Sequence, residues 1–501
     1  MLPGTQTQDV SRSKIYIFGS MGLPLAMISY PLSIWLPRLY ASDVGLSLAL
    51  IGTVISLAAI VDAITDPLMG FVSDRFRTRW GRRKPWILMG TPVFCVSVWM
   101  LLNPTSGNTV FYLALWFILL RIGTTLFNLP YAAWSAELSA NYHTRTIIQS
   151  AREKYIMVGL IGGASIPLLV EWIAEVKLEP GFIKEKFEWL GYVSQGVLNG
   201  FSQVFSAIAN ASDIKDARPS TILSYYSFGI LILMPLCTLL ILTMVPEVRA
   251  LPAKFQVHWF KAITLLFKNK LFVRIIVIEV LIVSGEHFRN ILSLFFMQDY
   301  IGVRFAGEMY VVYFAVGLVA IPFWDYLART FGKHISLSGA MILVSIISMW
   351  IFFLDFGSVG YFYILFALKG FCFGAFAYLP RAMIADVVDL DTIRSGDARP
   401  ATYFAVMGLM TKIGNSFGGL SLPILAWVGY EATRNPVVPN TPSEILWLGV
   451  LYSIVPTCLF IVALYLSWTW PLTSQRHARL QILLEKKNAR LRARALAEQG
   501  A

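Results

Sequence analysis

Charged residues are scarce in this sequence. Asp, Glu, Lys and Arg make up 14% of its 501 residues, whereas hydrophobic residues make up 56%. A chain with so few charges cannot surround a soluble core with a hydrated surface. The composition therefore excludes an ordinary soluble enzyme and indicates a protein that crosses a membrane many times.

Cysteine and histidine are also few. The four cysteines lie far apart within apolar runs, and the five histidines are scattered along the chain. This spacing predicts neither a disulfide framework nor a metal site. The sequence offers no nucleophile–base pair and no cofactor motif either. We therefore predict a protein that is not an enzyme and has no cofactor.

Acidic residues are outnumbered by basic ones, 29 to 41, which gives a net charge of +12. The basic residues fall mostly in gaps between apolar runs, and every second gap holds most of them. The alternate short gaps, such as 103–108, are nearly free of them. This is the positive-inside pattern of membrane proteins, so it predicts no nucleic-acid partner and places both termini in the cytoplasm.

The apolar runs are long enough to cross a bilayer as helices. They occupy residues 14–40, 46–73, 86–104, 109–138, 152–174, 222–245, 271–299, 305–328, 334–355, 359–390, 401–430 and 444–470. The sequence thus predicts an all-α polytopic membrane protein with twelve transmembrane helices.

A basic connection at 246–270 divides these spans into two sets of six, which is how many secondary transporters are built. We predict a cytoplasmic N-terminus, two six-helix bundles on either side of the linker, and a basic cytoplasmic tail that rests on membrane lipid. The N-terminus comprises residues 1–13 and the tail residues 471–501. The two bundles comprise residues 14–245 and 271–470. The first bundle includes a long external loop at 175–221, whose helical apolar spacing indicates either a surface helix or a lid over the external mouth.

Two acids stand out within the second span. Asp62 and Asp66 are four residues apart, so a helix presents them on one face. Each costs about 2.5–3.5 kcal/mol inside a membrane, so neither is expected to face lipid. Two neighbouring carboxylates require either a proton or a cation between them. The alternative is a structural salt bridge to a neighbouring helix, through Arg152 or Lys412.

A basic loop follows these acids. Asp74 and Arg75 end the second span, and Arg82 and Arg83 follow after a short gap. Charges at such a helix end can pair differently in two conformations. We interpret these four residues as a gating latch on the cytoplasmic side.

These residues carry a family likeness. The sequence DAITDPLMG at 62–70, followed by Asp74-Arg75 and by RTRWGRRKPW at 77–86, resembles the major facilitator superfamily. Within it, the chain is most similar to the glycoside–pentoside–hexuronide:cation symporters. Further matches are Asn128-Leu-Pro-Tyr131, Arg152-Glu153, Ala385-Asp386-Val-Val-Asp389 and Lys412.

The resemblance implies symport of a small molecule with Na+ or H+ by alternating access, in a monomer of the bacterial inner membrane. It also implies a cation site formed by Asp62, Thr65, Asp66, Thr125 and Asn128. The branch of the family that transports melibiose has a third aspartate where this chain has Asn128. It also has a Lys-Asp pair where this chain has Leu23-Pro24. Melibiose is therefore not the predicted substrate.

The remaining ionisable residues within the spans are mainly basic, which favours an acidic sugar such as a uronide. The runner-up is an amphiphile such as a lysolipid, or another organic anion. The predicted substrate-binding residues are Tyr131, Arg152, Glu286, His287, Arg289, Arg381 and Lys412. Three of them have a plainer alternative: Glu286 neutralising Arg289, Tyr131 packing in the core, and His287 serving as a buried polar group.

Overall fold

The computed structural model describes residues 11–75, 78, 80–105, 107, 109–138, 142–179, 186, 202–203, 206, 214, 216–247, 266–395, 400–432 and 440–471. The first ten residues, most of the predicted external loop, residues 248–265 of the linker and the tail from 472 onward lie outside this set. The predictions of a surface helix or lid in the loop and of a lipid-bound tail fall on those residues and stay predictions.

The described residues of the first half form seven helices. They are α1 (Arg12–Gly19), α2 (Gly22–Arg38), α3 (Leu48–Arg75), α4 (Lys84–Leu102), α5 (Val110–Glu137), α6 (Tyr142–Leu178) and α7 (Pro219–Met244). A π-helical turn, Leu39–Asp43, extends α2. The first predicted span is thus α1 and α2 in succession.

The second half folds in the same way, with more interruptions. Its helices are α8 (Lys270–Phe295), α9 (Ala306–Phe331), α10 (Lys333–Phe352), α11 (Val359–Phe376), α12 (Leu379–Ser395), α13 (Pro400–Gly419), α14 (Ser421–Trp427), α15 (Pro442–Gly449) and α16 (Val455–Trp468). A π-helical turn, Phe296–Ile301, extends α8, and another, Val450–Ile454, joins α15 to α16.

The prediction of an all-α polytopic membrane protein is confirmed. Ten helical stretches of the described chain are long and apolar enough to cross a membrane, and each coincides with a predicted span. The other two predicted spans, 271–299 and 401–430, are helical as well. The first carries five charged residues, Arg274, Glu279, Glu286, Arg289 and Asp299, and the second is interrupted at Leu420.

Glycine allows several helices to approach backbone to backbone. Gly370 of α11 lies against the Tyr313 carbonyl of α9, where any β-carbon would overlap it. Gly159 of α6 lies against the Leu23 carbonyl of α2 in the same way. Both contacts join helices within one half of the chain. The division into two six-helix bundles remains a prediction.

The two halves meet along α3 with α13–α14, along α6 with α9, and along α2 with α8. In the first pair, Gly52 packs against Gly419 and Leu422, and Ser56 donates to the Ser416 carbonyl at 3.1 Å. In the second, Gly307 lies on Leu168. We call the end that carries the Arg82–Lys84 loop the basic side and the opposite end the far side. Gly52 and Gly307 lie toward the far side.

Candidate coupling and substrate site

The two aspartates of α3 point at one side chain of α5. The Thr125 hydroxyl lies 3.2 Å from Oδ1 of Asp62 and 3.0 Å from Oδ1 of Asp66. Asp62 and Thr125 are buried, at 5% and 4% exposure. Three oxygen-bearing side chains from two helices therefore converge in the apolar interior, as the sequence predicts.

Two basic residues complete this group. Lys412 of α13 reaches across from the second half, hydrogen-bonds to Oδ2 of Asp66 and lies 3.1 Å from Oδ2 of Asp62. Arg121, one turn before Thr125 on α5, places Nη1 3.6 Å from Oδ2 of Asp62. With both acids ionised and both bases charged, the formal charges cancel, so the group is compatible with a membrane interior.

The Lys412 ammonium therefore stands beside both carboxylates, where a small cation would bind. Thr65 turns its hydroxyl to the Asp62 carbonyl of its own helix, at 3.4 Å. Asn128 lies one turn beyond Thr125 and is half-buried. Among the described residues no hydrogen bond joins Asn128 to either carboxylate. Of the five predicted cation-binding residues, the structure brings together Asp62, Asp66 and Thr125.

Arg121 was not anticipated from the sequence, although a signal for it exists. It is the only charged residue of α5 before Glu137. A single arginine inside an apolar span needs an acidic partner or a polar cavity. Its side chain covers the ring of Phe117, with 5.1 Å between the guanidinium carbon and the ring centre. The sequence could not show that its charge is directed at Asp62.

Glu286, His287 and Arg289 of α8 lie in two different environments. The ring of His287 packs against Gly418 of α13, toward the aspartate group. Glu286 and Arg289 pair with each other at 2.5 Å. Glu286 therefore neutralises Arg289, as the plainer alternative for this pair states.

Three other predicted substrate residues lie apart from this group. Tyr131 is fully buried, stacks on Phe18 and donates to the Phe18 carbonyl at 2.8 Å, so it packs in the core of the first half. Arg152 covers the Tyr131 ring, 5.1 Å from its centre, and makes no ion pair with Asp62 or Asp66. Arg381 is exposed in the first turn of α12.

The basic loop is organised by an acid that the sequence analysis missed. Glu247, just after α7, accepts hydrogen bonds from the backbone N–H groups of Arg82, Arg83 and Lys84 at 2.6, 2.8 and 3.3 Å. These groups lead into α4, where the helix dipole favours a negative charge. The only sequence signal is an acid directly after an apolar span.

Only part of the predicted gating latch lies within the described residues. Arg83 donates from Nη1 to the Ser73 hydroxyl at 3.0 Å, which ties the loop to the end of α3. The side chains of Asp74 and Arg75 lie outside the described residues. The role of these residues and of Arg82 in gating therefore stays a prediction.

Polar contacts join the two halves on the far side. Arg38 at the end of α2 forms a bidentate pair with Asp299, at 2.6 and 3.2 Å, and Tyr430 bonds to the same carboxylate. Glu171 of α6 is buried and accepts the Gly307 N–H in the first turn of α9, at 3.0 Å. The two halves are thus closed against each other on this side.

A second set of contacts strengthens that closure. Glu175 pairs with Arg304 at 2.7 Å, and the Trp172 indole donates to Glu308 at 2.6 Å. All four residues lie near the far ends of α6 and α9. Charge-assisted bonds of this kind are individually strong, yet each joins side chains that can separate as a unit. These contacts join the two halves on the far side through α6 and the start of α9.

Comparison with known proteins shows which family and which relatives this chain resembles. The family described as MFS/sugar transport protein matches residues 17–474. A putative glycoside/cation symporter of Escherichia coli, YagG, is 25% identical, over 90% of this chain and 90% of its own length. A sodium-dependent lysophosphatidylcholine symporter of Gallus gallus is also 25% identical, over 85% of this chain and 81% of its own.

The fold has close counterparts among solved structures. A bacterial homologue of the human lysosomal transporter Spinster superposes with a TM-score of 0.62. The match covers 94% of this chain and 98% of that chain, at 11% sequence identity. At this identity the likeness concerns the fold alone.

Proposed function

Because the chain belongs to the MFS/sugar transport protein family, we propose that it is a secondary active transporter that couples Na+ or H+ to the uptake of a sugar or glycoside. Membership of this family makes the chain a multi-pass membrane transporter and not an enzyme. The coupling ion and the cargo are the parts that we propose. The observation that carries the proposal is the convergence of Thr125 and Lys412 on the carboxylates of Asp62 and Asp66.

The proposed mechanism is an exchange of cations at the two aspartates. Carboxylate and hydroxyl oxygens suit Na+, and carboxylates also accept protons. An arriving cation makes the group more positive unless Lys412 leaves it. Since Lys412 belongs to the second half and the aspartates to the first, its release weakens a contact between the halves. Cation binding thereby changes both the charge available to a substrate and the contact that alternating access must rearrange.

We assign the basic side to the cytoplasm, as the basic loops predict. The gating role of Asp74, Arg75, Arg82 and Arg83 belongs to this side. The closed contacts between Arg38 and Asp299 and between Glu171 and Gly307 then belong to the external gate. Transport would require these contacts to break while the cytoplasmic ends of the helices approach each other.

The favoured cargo is an acidic sugar such as a uronide. Arg289 and Lys412 offer charge-assisted donors, while Glu286 and His287 add polar groups on the same helix as Arg289. For Tyr131, Arg152 and Arg381, a direct role in binding requires another conformation. The second candidate is a lysolipid, which the likeness to a lysophosphatidylcholine symporter favours.

Uptake into proteoliposomes tests the proposed function. Purified protein is supplied with a glycoside, a uronide or a lysolipid under an imposed Na+ gradient or an imposed proton gradient. We expect one gradient to drive accumulation of the uronide or the glycoside. Accumulation of lysolipid alone would select the second candidate. Equal uptake with and without each gradient would contradict symport.

Arg121 gives a prediction for the strength of cation binding. Its positive charge 3.6 Å from Asp62 opposes any other cation there. Replacing Arg121 with Gln should therefore lower the cation concentration for half-maximal uptake by roughly tenfold, since a nearby like charge is removed from a poorly solvated site. The measurement is the Na+ and pH dependence of uptake. Arg121→Lys, which keeps the charge, is the control, and an unchanged half-maximal concentration in Arg121→Gln would refute the prediction.

A further inference from the structure

A second buried group of ionisable residues lies apart from the two aspartates. Arg289 and Glu286 are on α8, and Lys369 is in the middle of α11, of which it is the only charged residue. Lys369 is 1% exposed and Arg289 2% exposed. Such complete burial of two basic residues at membrane depth requires a compensating partner.

The described residues do not supply that partner in full. Arg289 donates from Nη2 to Oε2 of Glu286 at 2.5 Å. The Lys369 ammonium lies 3.4 Å from the Tyr452 hydroxyl and 4.5 Å from the centre of that ring. Lys369 makes no ion pair among the described residues. Two basic groups therefore share one acid, and the cluster carries a formal charge of +1 when all three groups are ionised.

Two further polar atoms in the cluster are buried without a hydrogen-bond partner in the described part of the chain. They are Nη1 of Arg289, which is a donor, and Oε1 of Glu286, which is an acceptor when the group is ionised. Leaving such a group unpaired costs about 1–3 kcal/mol, and more when it is charged. A ligand that satisfies both atoms offers an acceptor oxygen to Arg289 and a donor, such as a hydroxyl, to Glu286. The surplus positive charge of the cluster favours an anionic oxygen as the acceptor.

Aromatic side chains surround this cluster and connect it to the other half of the protein. Tyr452 stacks on Phe296, with ring centres 4.0 Å apart. Tyr310 packs edge-on against Phe366 at 5.3 Å and against Tyr30 of α2 at 4.9 Å. Because Tyr30 belongs to the first half, the cluster borders the interface that alternating access opens. Aromatic faces of this kind also suit the apolar face of a sugar ring.

A purely structural explanation is available for Lys369. As a neutral amine it could simply donate to Tyr452 and pack on its ring. That explanation leaves the unpaired atoms of Arg289 and Glu286 without a purpose. It also makes a different prediction: removal of Lys369 would not change which substrates bind.

We infer that Lys369 and Arg289 form an oxyanion subsite and that Glu286 accepts a hydroxyl from the same ligand. The ligand class is a polyhydroxylated acid, either a uronide or a sugar phosphate. This inference rests on the proposed transport function and adds to it a place for the acidic group. It also adds, in α8 and α11, a place for the substrate's charge apart from the aspartates of α3.

Calorimetric titration of the purified full-length protein in detergent tests the subsite. The probes are methyl β-D-glucuronide, glucose 6-phosphate and the neutral methyl β-D-glucoside. The wild type should bind one of the acids at least tenfold more tightly than the glucoside, because charge-assisted contacts are the stronger ones. K369M and R289Q should lose that preference, whereas K369R should keep most of it. R329Q is the matched control, since Arg329 is an exposed arginine of the same half whose ion-pair partner, Asp325, lies on its own helix, and it should behave as the wild type.

Separate measurements distinguish a failure of the subsite from a failure of the proposed function. Na+ titration of each variant reports on Asp62 and Asp66, and thermal unfolding reports on folding. If K369M does not fold, R289Q and K369R carry the test. An equal affinity of the wild type for acid and neutral sugar overturns the subsite, and so does a full preference in folded K369M and R289Q. Failure of gradient-driven uptake in the wild type overturns symport. The calorimetric preference for acids still decides whether the subsite exists.

Discussion

Replacing Asp66 with Asn is expected to abolish gradient-driven accumulation of substrate. The change removes the carboxylate that holds Lys412 and, in the proposed mechanism, the charge that the coupling cation requires. An amide retains the shape and a hydrogen-bond acceptor for Thr125 but offers no net charge. Accumulation in proteoliposomes should fall to the level of a passive leak, at least a hundredfold below the wild type. Asp62→Asn should behave similarly because its carboxylate faces both Lys412 and Thr125.

Two controls make this result specific. Asp325→Asn removes an exposed carboxylate whose ion pair with Arg329 lies in a single helix, and it should leave uptake unchanged. The double variant Asp66→Asn with Lys412→Met removes both the acid and the ammonium, which in Asp66→Asn keeps only Asp62 as an acidic partner. If the loss arose only from this incomplete pairing of Lys412, the double variant would recover concentrative uptake. Such a recovery would refute the coupling role of Asp66.

Replacing Gly52 with Ala is expected to prevent closure of the far side. A β-carbon at Gly52 would lie 2.5 Å from the Gly419 carbonyl oxygen and 2.9 Å from Cβ of Leu422, across the contact between the halves. The first neighbour is backbone, so it cannot move away as a side chain can. Alanine also favours the helical conformation, by about 1 kcal/mol over glycine, so we expect the variant to fold. Transport should fall by at least about tenfold, since a tenfold change corresponds to only about 1.4 kcal/mol.

The measurement that identifies the cause is accessibility. A cysteine introduced at Tyr30, between the halves, should be labelled from the far side faster in Gly52→Ala than in the parent protein. Gly307→Ala, at the other pair of helices, should have the same effect, because its added carbon would overlap Leu168. Gly339→Ala is the matched control, since a β-carbon there meets no atom within 4 Å. Normal transport and unchanged labelling in both test variants would show that closure of the far side does not require the close packing at Gly52 and Gly307.

The sequence predictions that the structure confirms depend on patterns within single segments of the chain. Apolar length is a property of each segment, and ten of the predicted spans coincide with apolar helices. The pairing of Asp62 and Asp66 on one face follows from helix geometry. Thr125 was placed beside them only through resemblance to a family, because its distance in sequence gives no geometric relation. The membrane transporter class and the family were likewise available from composition and motif.

What sequence could not supply was the partner of each charge. Lys412 and Arg152 were equal alternatives for the aspartates, and the packing of α13 on α3 selects Lys412. Arg121 and Lys369 were each visible as a lone charge in an apolar helix, but their neighbours were not. Tyr131 was a plausible stacking surface until the contact with Phe18 placed it in the core.

The sequence by itself determined that this chain crosses a membrane through apolar helices and carries two stacked acids among them, because both properties depend only on residues a few positions apart. Tertiary structure alone decided which bases those acids meet, that Lys369 is buried beside Arg289, and that the halves touch at Gly52 and Gly307. Each of these is a contact between helices distant in sequence. The physical reason is that an apolar helix specifies its length and its polar face, whereas the neighbour opposite that face is specified by how all the helices pack together.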